Sequence, residues 1–358
     1  MKIMYTAFIR LPTEKAHGAQ IMKTCEAFAG EGVEVELVIP GRKTPVTDDP
    51  FDYYDVQKNF TVTKLKTPDW VGWGVIGFMV SALWFSEVIR WRKSFWNADI
   101  VYSRDAFVLL QYLFLGRKIV YEAHTKPTFI SKLVAKYAYR LVVISEGLRD
   151  VYIDVGIAPE KSIVAHDAID PESFKRQYDL KESREWLGIP QDKKIALYVG
   201  RIDSAKGADT FAAASEYVGE DMLCVLVGTG PLVEELQKKY PKARFCPATP
   251  YKQLSRVLAA GDVLVIPNSN KNEDASKYTS PMKAFAYLAT GKPIVSSDVP
   301  ALRAVLKENT LFFEPDDASS LAWYLEHSDS LKVKQQDTYT WKKRAIAILS
   351  GIKLDNVS

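Results

Sequence analysis

Short apolar segments recur along this chain, and each is followed by a polar loop that opens a helical pattern. They cover residues 3–9, 33–39, 100–102, 118–121 and 140–144 in the first half, and 194–199, 222–227, 244–246, 263–267 and 294–297 in the second. Apolar runs of this kind are typical of parallel strands that are buried on both faces of a sheet. Their alternation with helices predicts an α/β protein of the doubly wound, Rossmann-like kind.

The chain has 358 residues, which is long enough for two domains that each have a core. Residues 171–192 carry mixed charge and few apolar side chains, so we expect a linker there. We therefore predict an N-terminal Rossmann-like domain over 1–170, a C-terminal one over 193–335 and a terminal helix within 336–358. The shared architecture of the two halves predicts domains that face each other across a cleft.

The net charge and the cysteines argue against a nucleic-acid-binding protein and against a disulfide-rich or metal-binding one. The formal net charge of +3 is small for this length and gives no argument for a nucleic-acid partner. Cys25, Cys224 and Cys246 have apolar neighbours and predict buried thiols rather than disulfides or metal ligands. Residues 1–15 lack the apolar core and cleavage site of a signal peptide. We expect a cytoplasmic protein.

Residues 70–86, WVGWGVIGFMVSALWFS, carry no charge and are followed by Glu87 and Arg90. Three interpretations remain open. The segment is a helix packed on the sheet, or a helix in the plane of a membrane with tryptophans at the interface, or a transmembrane span. Its length, just short of the roughly 20 residues that a span needs, disfavours the third. The second interpretation would bring the protein to the inner face of a membrane.

Two cations lie in the loop after the predicted strand 194–199. Arg201 and Lys206 are five residues apart in GRIDSAKG, which begins at Gly200. Open α/β sheets bind ligands at the carboxyl ends of their strands, and this pair of cations suits a diphosphate. A solvated surface loop is the alternative. The glycine-rich turn at Gly228 is a weak signal alone, because many tight turns need glycine.

Residues 278–298, YTSPMKAFAYLATGKPIVSSD, predict a loop, a helix, a glycine turn and a buried strand. Thr279 and Ser280 supply capping side chains, and Pro281 suits the first helical position before Met282. A helix start has free N–H groups, so it is suited to phosphate. An ordinary helix–strand connection is the alternative.

Several polar residues of the first half follow predicted strands. His17 and Gly18 open the first helix, Arg104 follows strand 100–102, and His166 lies where the first domain ends. His124 follows strand 118–121 and is suited to bind a sugar hydroxyl, although an isolated histidine is more often structural. We find no metal-ligand spacing, P-loop, nucleophile elbow or dinucleotide fingerprint, so we expect no metal and no cofactor.

The joint order of these segments resembles that of the family 4 glycosyltransferases of the GT-B fold. GRIDSAKG, VGTGP, CPATP, DVLVIPNS and the segment 278–298 are similar to the donor-binding half of that family, and HGAQ, VYSRD, VYEAH and HDAID to its acceptor half. The resemblance covers about residues 1–335 and is specific only in the order of its motifs. It implies two Rossmann-like domains, with a terminal helix beyond about residue 336 that crosses back onto the first domain. It also implies a retaining, metal-independent transferase that uses a nucleotide-sugar.

The resemblance also implies roles for single residues. Arg201 and Lys206 match the pair that holds the donor diphosphate, and His124 matches the histidine near the transferred sugar; we expect these three to be catalytic. The other implied donor-site positions are Gly18, whose loop approaches the phosphates, Gly200, Gly228, Pro247 in the turn that docks the base, Tyr278, Thr279, Ser280, Pro281, Met282 and Ala286. His17, Arg104 and His166 are candidates for the acceptor side.

The sequence departs from this family at Ala286. The family commonly has two glutamates eight positions apart, and the second, expected to hold the ribose, is replaced here by Ala286, with Tyr278 at the first position. The leading hypothesis is a retaining glycosyltransferase with a glycan or lipid-linked acceptor. The alternatives are a nucleotide-sugar-binding or scaffold protein with impaired catalysis, and another GT-B activity such as an epimerase or a phosphorylase.

Overall fold

The computed structural model describes residues 1–13, 16–170, 178–271, 273–278, 280, 282–306, 310–331, 333 and 339–353. The chain divides into two compact units. The first contains Met1–Asp167 and Trp341–Ser358, and the second contains Ala168–Thr340. Each unit is built on one parallel sheet, which confirms the prediction of an α/β fold with two doubly wound sheets.

The sheet of the first unit has seven strands in the order β3-β2-β1-β4-β5-β6-β7. The strands are β1 Lys2–Thr6, β2 Glu34–Pro40, β3 Thr61–Leu65, β4 Ile100–Ser103, β5 Ile119–Ala123, β6 Arg140–Val143 and β7 Ser162–Val164. The helices between them are α1 Ala16–Gly30, α2 Pro50–Tyr54, α3 Gly74–Arg90, α4 Lys93–Asn97, α5 Ala106–Leu110, α6 Phe129–Tyr137 and α7 Glu146–Asp154.

The sheet of the second unit has six strands in the order β10-β9-β8-β11-β12-β13. The strands are β8 Lys194–Val199, β9 Met222–Val227, β10 Arg244–Cys246, β11 Val263–Ile266, β12 Ile294–Ser297 and β13 Thr310–Phe313. Its helices are α8 Leu180–Leu187, α9 Ala208–Ala214, α10 Val233–Lys239, α11 Leu254–Ala259, α12 Met282–Leu288, α13 Pro300–Arg303 and α14 Ala318–Glu326.

Both sheets reverse their strand order at one point. In the first unit the reversal lies between β1 and β4, and in the second it lies between β8 and β11. Loops at the carboxyl ends of the strands diverge there and leave a crevice, which is where open α/β sheets bind ligands. The loops that follow these four strands are therefore the first places to search for a site.

The segment predicted as a linker has a different structure in its described part, residues 178–192. Helix α8 begins after Asp179, which caps it by accepting a hydrogen bond from the backbone N–H of Glu182 at 3.0 Å. Arg184 is only 3% exposed and forms an ion pair with Asp262 at 2.5 Å. The mixed charge therefore belongs to an amphipathic helix of the second unit, whose arginine is buried because Asp262 and backbone carbonyls hold it.

The last helix, α15 Trp341–Lys353, belongs to the first unit. Its apolar side chains at Ala345, Ile348, Leu349 and Ile352 lie in the same buried cluster as the core of the first sheet. The hydroxyl of Tyr139 also donates to the carbonyl of Ile352 at 2.9 Å. The core of the first unit is thus completed by residues from the far end of the chain.

Helix α3 has one buried face and one exposed apolar face. Among the described residues, Val71–Arg90 is the one stretch that has the length and hydropathy of a membrane span, and 33% of it is buried. Its exposed large side chains are Trp73, Val75, Ile76, Phe78, Met79, Val80, Leu83 and Trp84. The opposite face packs on the unit, with the Phe85 ring 5.5 Å from that of Phe8. One face of the segment therefore packs against the first unit, and the other is an apolar surface exposed to solvent.

Candidate active site

The loop after β8 is held in a compact turn by Asp203. Its carboxylate accepts a hydrogen bond from the backbone N–H of Lys206 at 2.9 Å and pairs with Nε of Arg201 at 2.8 Å. The Arg201 side chain is 69% exposed, so this pair orients the guanidinium without burying it. The loop therefore presents Arg201 to solvent at the carboxyl end of a central strand.

Glycines let neighbouring loops approach this turn closely. A Cβ on Gly207, which has φ +65°, would lie 1.7 Å from the carbonyl oxygen of Pro267, just after β11. A Cβ on Gly228, just after β9, would lie 1.8 Å from the carbonyl oxygen of Gly200. The loops after three adjacent strands are thus packed together at the point where the sheet order reverses. These contacts give Gly207 and Gly228 a packing reason to be glycine.

Two lysines add positive charge at this end of the sheet. Burial lowers the pKa of Lys206 from its ordinary value, although Asp203 acts in the opposite direction. Lys283 lies on α12, and its Nζ atom is 4.0 Å from the centre of the Tyr198 ring. Burial, and to a smaller extent the charge of Lys206, lower the pKa of Lys283 to about 7, while Asp203 opposes the shift. Sequence reasoning missed Lys283; the signal was its position directly after the TSPM segment.

Of the predicted residues around the start of α12, Thr279 and Pro281 lie outside the described residues. Ser280 accepts a hydrogen bond from the backbone N–H of Met282 through its carbonyl at 3.0 Å. The hydroxyl of Tyr278 donates to Glu273 at 3.3 Å. Tyr278 is thus linked to Glu273, which precedes it by five residues.

Ala286 lies in the apolar core of the second unit. It is 2% exposed and belongs to the same cluster as Ile266 and Leu264 of β11. The next residue, Tyr287, accepts a hydrogen bond at its hydroxyl from the backbone N–H of Val199 at 3.2 Å, which ties α12 to the end of β8. Pro247 is exposed just after β10, two strands away from β8.

The first unit contains a buried charge network around Glu122 of β5. Its carboxylate pairs with Arg344 of α15 at 2.8 Å and with Nε2 of His124 at 2.6 Å, and it accepts a hydrogen bond from the hydroxyl of Tyr102. Burial would raise the pKa of Glu122, but Arg344 and His124 lower it below its usual range. Burial and the charge of Arg104 lower the pKa of His124, so its ring is neutral at pH 7.

The tautomer of His124 follows from this network. A carboxylate accepts but does not donate, so Nε2 of His124 carries the proton that is shared with Glu122. The Nδ1 atom is then a hydrogen-bond acceptor at the carboxyl end of β5. Sequence reasoning missed Glu122 and Arg344, although a glutamate inside the apolar run VYEA was a visible signal.

Other predicted residues of the first unit lie near its strand ends. Gln20 bridges the guanidinium of Arg104 and the carboxylate of Asp167. His166 accepts a hydrogen bond from Arg344 at its carbonyl oxygen at 3.0 Å, and burial lowers the pKa of its imidazole. Arg104 is therefore linked to Asp167 through Gln20, and His166 is linked to the Glu122 network through Arg344.

His17 and Gly18 lie in the first turn of α1. A Cβ on Gly18 would lie 2.2 Å from the hydroxyl of Tyr54, which itself donates to the carbonyl of Thr13 and accepts from its N–H, both at 2.7 Å. Tyr54 thus fills the space beside Gly18, which is a packing reason for the glycine. His17 is partly buried in the same turn.

Among the described residues, no group of three or more His, Cys, Asp or Glu side chains has an arrangement that holds a metal ion. The three cysteines are free and buried, as their apolar neighbours predicted.

Comparison with protein families supports the resemblance in both units. The family model for glycosyltransferase family 4 matches residues 18–173, and the model for glycosyl transferases group 1 matches residues 193–327. The chain belongs to the family 4 glycosyltransferases. The first match contains β2 to β7, and the second contains β8 to β13.

Curated relatives of this family 4 protein are distant. TuaC of Bacillus subtilis, which carries the name of a teichuronic acid biosynthesis glycosyltransferase, is 27% identical over 180 residues, covering 47% of this chain and 44% of TuaC. The chain spans less than two thirds of the length of the curated relatives it matches.

Solved structures share the fold of this family 4 protein. A sucrose-phosphate synthase from Thermosynechococcus elongatus has a TM-score of 0.77 at 17% identity, and each chain is covered completely. Anabaena HepE, solved in complex with UDP, has a TM-score of 0.71 at 14% identity over 99% of this chain and 98% of its own. These likenesses confirm the predicted GT-B fold.

Proposed function

We propose that the protein is a glycosyltransferase that moves a sugar from a nucleotide-sugar donor to an acceptor. One observation carries the proposal: Arg201 and Lys206 lie in one loop at the carboxyl end of β8, where the strand order reverses. Family membership gives the reaction class. The UDP complex of Anabaena HepE favours a nucleoside diphosphate as the group that these cations bind.

The chemical role of the cations follows from the charge of the leaving group. When the bond from the sugar to the diphosphate breaks, negative charge develops on the phosphate oxygens. Arg201 forms paired hydrogen bonds with such oxygens, and Lys206 acts as a point charge. We propose that this electrostatic stabilisation replaces a metal ion. Retention then follows from attack on the face that the diphosphate leaves, as the family resemblance implies.

His124 is proposed to bind the transferred sugar. Its ring is neutral and its Nε2–H is held by Glu122 at 2.6 Å, so Nδ1 is an acceptor for a sugar hydroxyl. The two residues that fix this geometry, Glu122 and Arg344, are 1% and 2% exposed at their side chains. A ring oriented in this way keeps its position before the sugar arrives.

The acceptor is proposed to be a glycan or a lipid-linked sugar, with the protein on the inner face of a membrane. The exposed apolar face of α3 supports the membrane contact. Trp84 on this helix and Trp73 in the turn just before it are 52% and 76% exposed, and the charged end of the helix carries Arg90. Tryptophan and arginine are suited to the interface between headgroups and acyl chains.

A mass-spectrometric screen of nucleotide-sugars against glycan and lipid-linked acceptors tests the reaction. We expect Arg201→Ala and Lys206→Ala each to lower turnover by about a hundredfold to a thousandfold, the usual cost of removing a group that stabilises the transition state. Lys238→Ala is the matched control because Lys238 is an exposed lysine of the same unit. Unchanged turnover in both variants would contradict the proposal.

A second candidate is a protein that binds a nucleotide-sugar but does not transfer the sugar. The apolar surroundings of Ala286 favour it, because the family's ribose-binding carboxylate is replaced there by a methyl group. Calorimetry with the same nucleotide-sugars separates the two candidates. Binding without transfer or hydrolysis supports the second candidate.

A further inference from the structure

The buried ammonium of Lys283 has no hydrogen-bond acceptor among the described residues. Its Nζ atom has almost no solvent exposure and forms no hydrogen bond. It lies against the backbone of Gly200, because a Cβ on that glycine would be 2.6 Å from Nζ. Burying a cation without an anion is costly, so such a group is retained where a ligand supplies the anion.

The neighbours of Lys283 do not supply that anion. Tyr198 presents the face of its ring at 4.0 Å, which attracts a cation only weakly. The carboxylate of Asp203 already receives Arg201 on one oxygen and the N–H of Lys206 on the other. The ammonium of Lys206 repels that of Lys283. Three cations therefore surround one end of β8 with a single carboxylate among them.

We propose that Lys283 is a third binding residue for the donor diphosphate, and that its ammonium pairs with a phosphate oxygen beside Gly200. The inference rests on the proposed function, since it assumes a nucleotide-sugar donor. It assigns a role to the α12 side chain that follows Met282. The diphosphate of a nucleotide-sugar carries two negative charges, which balance the net charge of +2 that Arg201, Lys206 and a protonated Lys283 have together with Asp203. Without it the repulsion among the three cations persists.

A lysine kept for binding should lower the stability of the ligand-free protein, whereas a structural lysine should raise it. The pKa of Lys283 is about 7 in the folded protein against an ordinary value of 10.5. The unfolded chain therefore binds more protons between these values, and stability rises with pH there. Below pH 7 the folded protein carries the full cost of the buried charge. We expect Lys283→Met to unfold at or above the wild-type midpoint at pH 6, with a difference that shrinks toward pH 10.

Isothermal titration calorimetry tests the inference with UDP, GDP, ADP and inorganic pyrophosphate as probes at pH 7.5. The proteins are the wild type, Lys283→Met, Lys283→Arg and the control Lys238→Met. Two buffers that differ in ionisation enthalpy report the protons taken up on binding. Losing one charged hydrogen bond predicts that Lys283→Met binds the preferred diphosphate about tenfold to a hundredfold more weakly. We expect Lys283→Arg to restore part of the affinity, and Lys238→Met to match the wild type.

Proton uptake on binding separates a lysine that pairs with phosphate from one that only packs, because a loss of packing alone does not change the number of protons taken up. A phosphate beside Lys283 raises its pKa, so the wild type takes up more protons on binding than Lys283→Met does. Equal affinity and equal uptake in these two proteins would overturn the inference and leave the proposed function intact. A reduced unfolding midpoint of Lys283→Met at pH 6 with unchanged binding would overturn it in favour of a structural lysine. A wild type that binds none of the probes would overturn the proposed function itself.

Discussion

Glu122 and Arg344 form a buried ion pair at 2.8 Å although 222 residues separate them in the chain. The same carboxylate oxygen also holds Nε2 of His124 at 2.6 Å. One side chain from the last helix therefore sets the charge of the carboxylate that orients the candidate sugar-binding histidine. This arrangement links the stability of the first unit to the geometry of its site.

Arg344→Met is expected to lower the free energy of unfolding by about 3–5 kcal/mol, because it leaves Glu122 as a buried charge with one partner fewer. The pKa of Glu122 is lowered in the folded state. The pair thus stabilises the protein above the carboxyl's ordinary pKa of 4.5, and the contribution is lost as the pH falls below it. Urea unfolding at pH 7 and pH 4 measures this difference.

The control for that experiment is Arg303→Met. Arg303 pairs with Asp298 at 2.5 Å, but both side chains are substantially exposed, so water screens the pair and stability should change little. Equal losses of stability in the two variants would argue against a special role for the buried pair.

Gly207→Ala is expected to destabilise the second unit and to weaken donor binding. The residue has φ +65°, and the added Cβ would lie 1.7 Å from the carbonyl of Pro267, so the loop after β8 must shift. We expect a loss of more than about 1 kcal/mol, measured by chemical unfolding. Gly219→Ala is the matched control, because its new Cβ would meet only the Glu326 carboxylate at 3.7 Å. If Gly207→Ala keeps the stability and the donor affinity of the wild type, this loop tolerates the displacement.

Ala286→Glu tests the position where the family commonly has a carboxylate. Because Ala286 is 2% exposed in an apolar cluster, we expect the free energy of unfolding to fall by about 1–3 kcal/mol. The resemblance predicts that affinity for a nucleoside diphosphate rises at the same time. Ala286→Gln separates the effect of volume from that of charge. Loss of stability without any gain in affinity would mean that the ribose is held by other residues.

Replacing Trp73 and Trp84 by serine is expected to reduce binding to vesicles that contain anionic lipid. Trp73, just before α3, and Trp84, on α3, are both exposed, so the change removes apolar area from the surface without opening the core. Flotation in a sucrose gradient measures the bound fraction. Phe129→Ser is the control, because Phe129 is 84% exposed elsewhere in the first unit. Equal flotation of wild type and the double variant would contradict the membrane contact.

The strands could be predicted from the sequence because parallel strands buried on both faces are mostly apolar. The runs at 194–199, 222–227 and 244–246 coincide with β8, β9 and β10. The cations Arg201 and Lys206 were found for the same reason, since the end of a strand locates the loop that follows it. Nothing in that reasoning required knowledge of distant contacts.

The elements that were missed depend on contacts that a local pattern does not contain. In the sequence, Lys283 looks like an ordinary polar residue of an amphipathic helix. In the structure, its ammonium is covered by Tyr198 of β8. Helix α8 reads as a polar linker because the partner of Arg184, Asp262, lies 78 residues further along the chain. From the sequence alone, a charged residue is expected to be exposed to solvent, because the distant residue that would contact it after folding is not known.

The placement of α15 has a consequence for the order in which the protein is made. The first sheet leaves the ribosome long before Arg344 and the apolar residues Ala345, Ile348 and Leu349 that complete its core. Until then Glu122 lacks the ion pair with Arg344. A nascent chain or a truncation that ends before Trp341 therefore has an unfinished first unit, whatever the state of the second, and the orientation of His124 is settled only after Arg344 has been made.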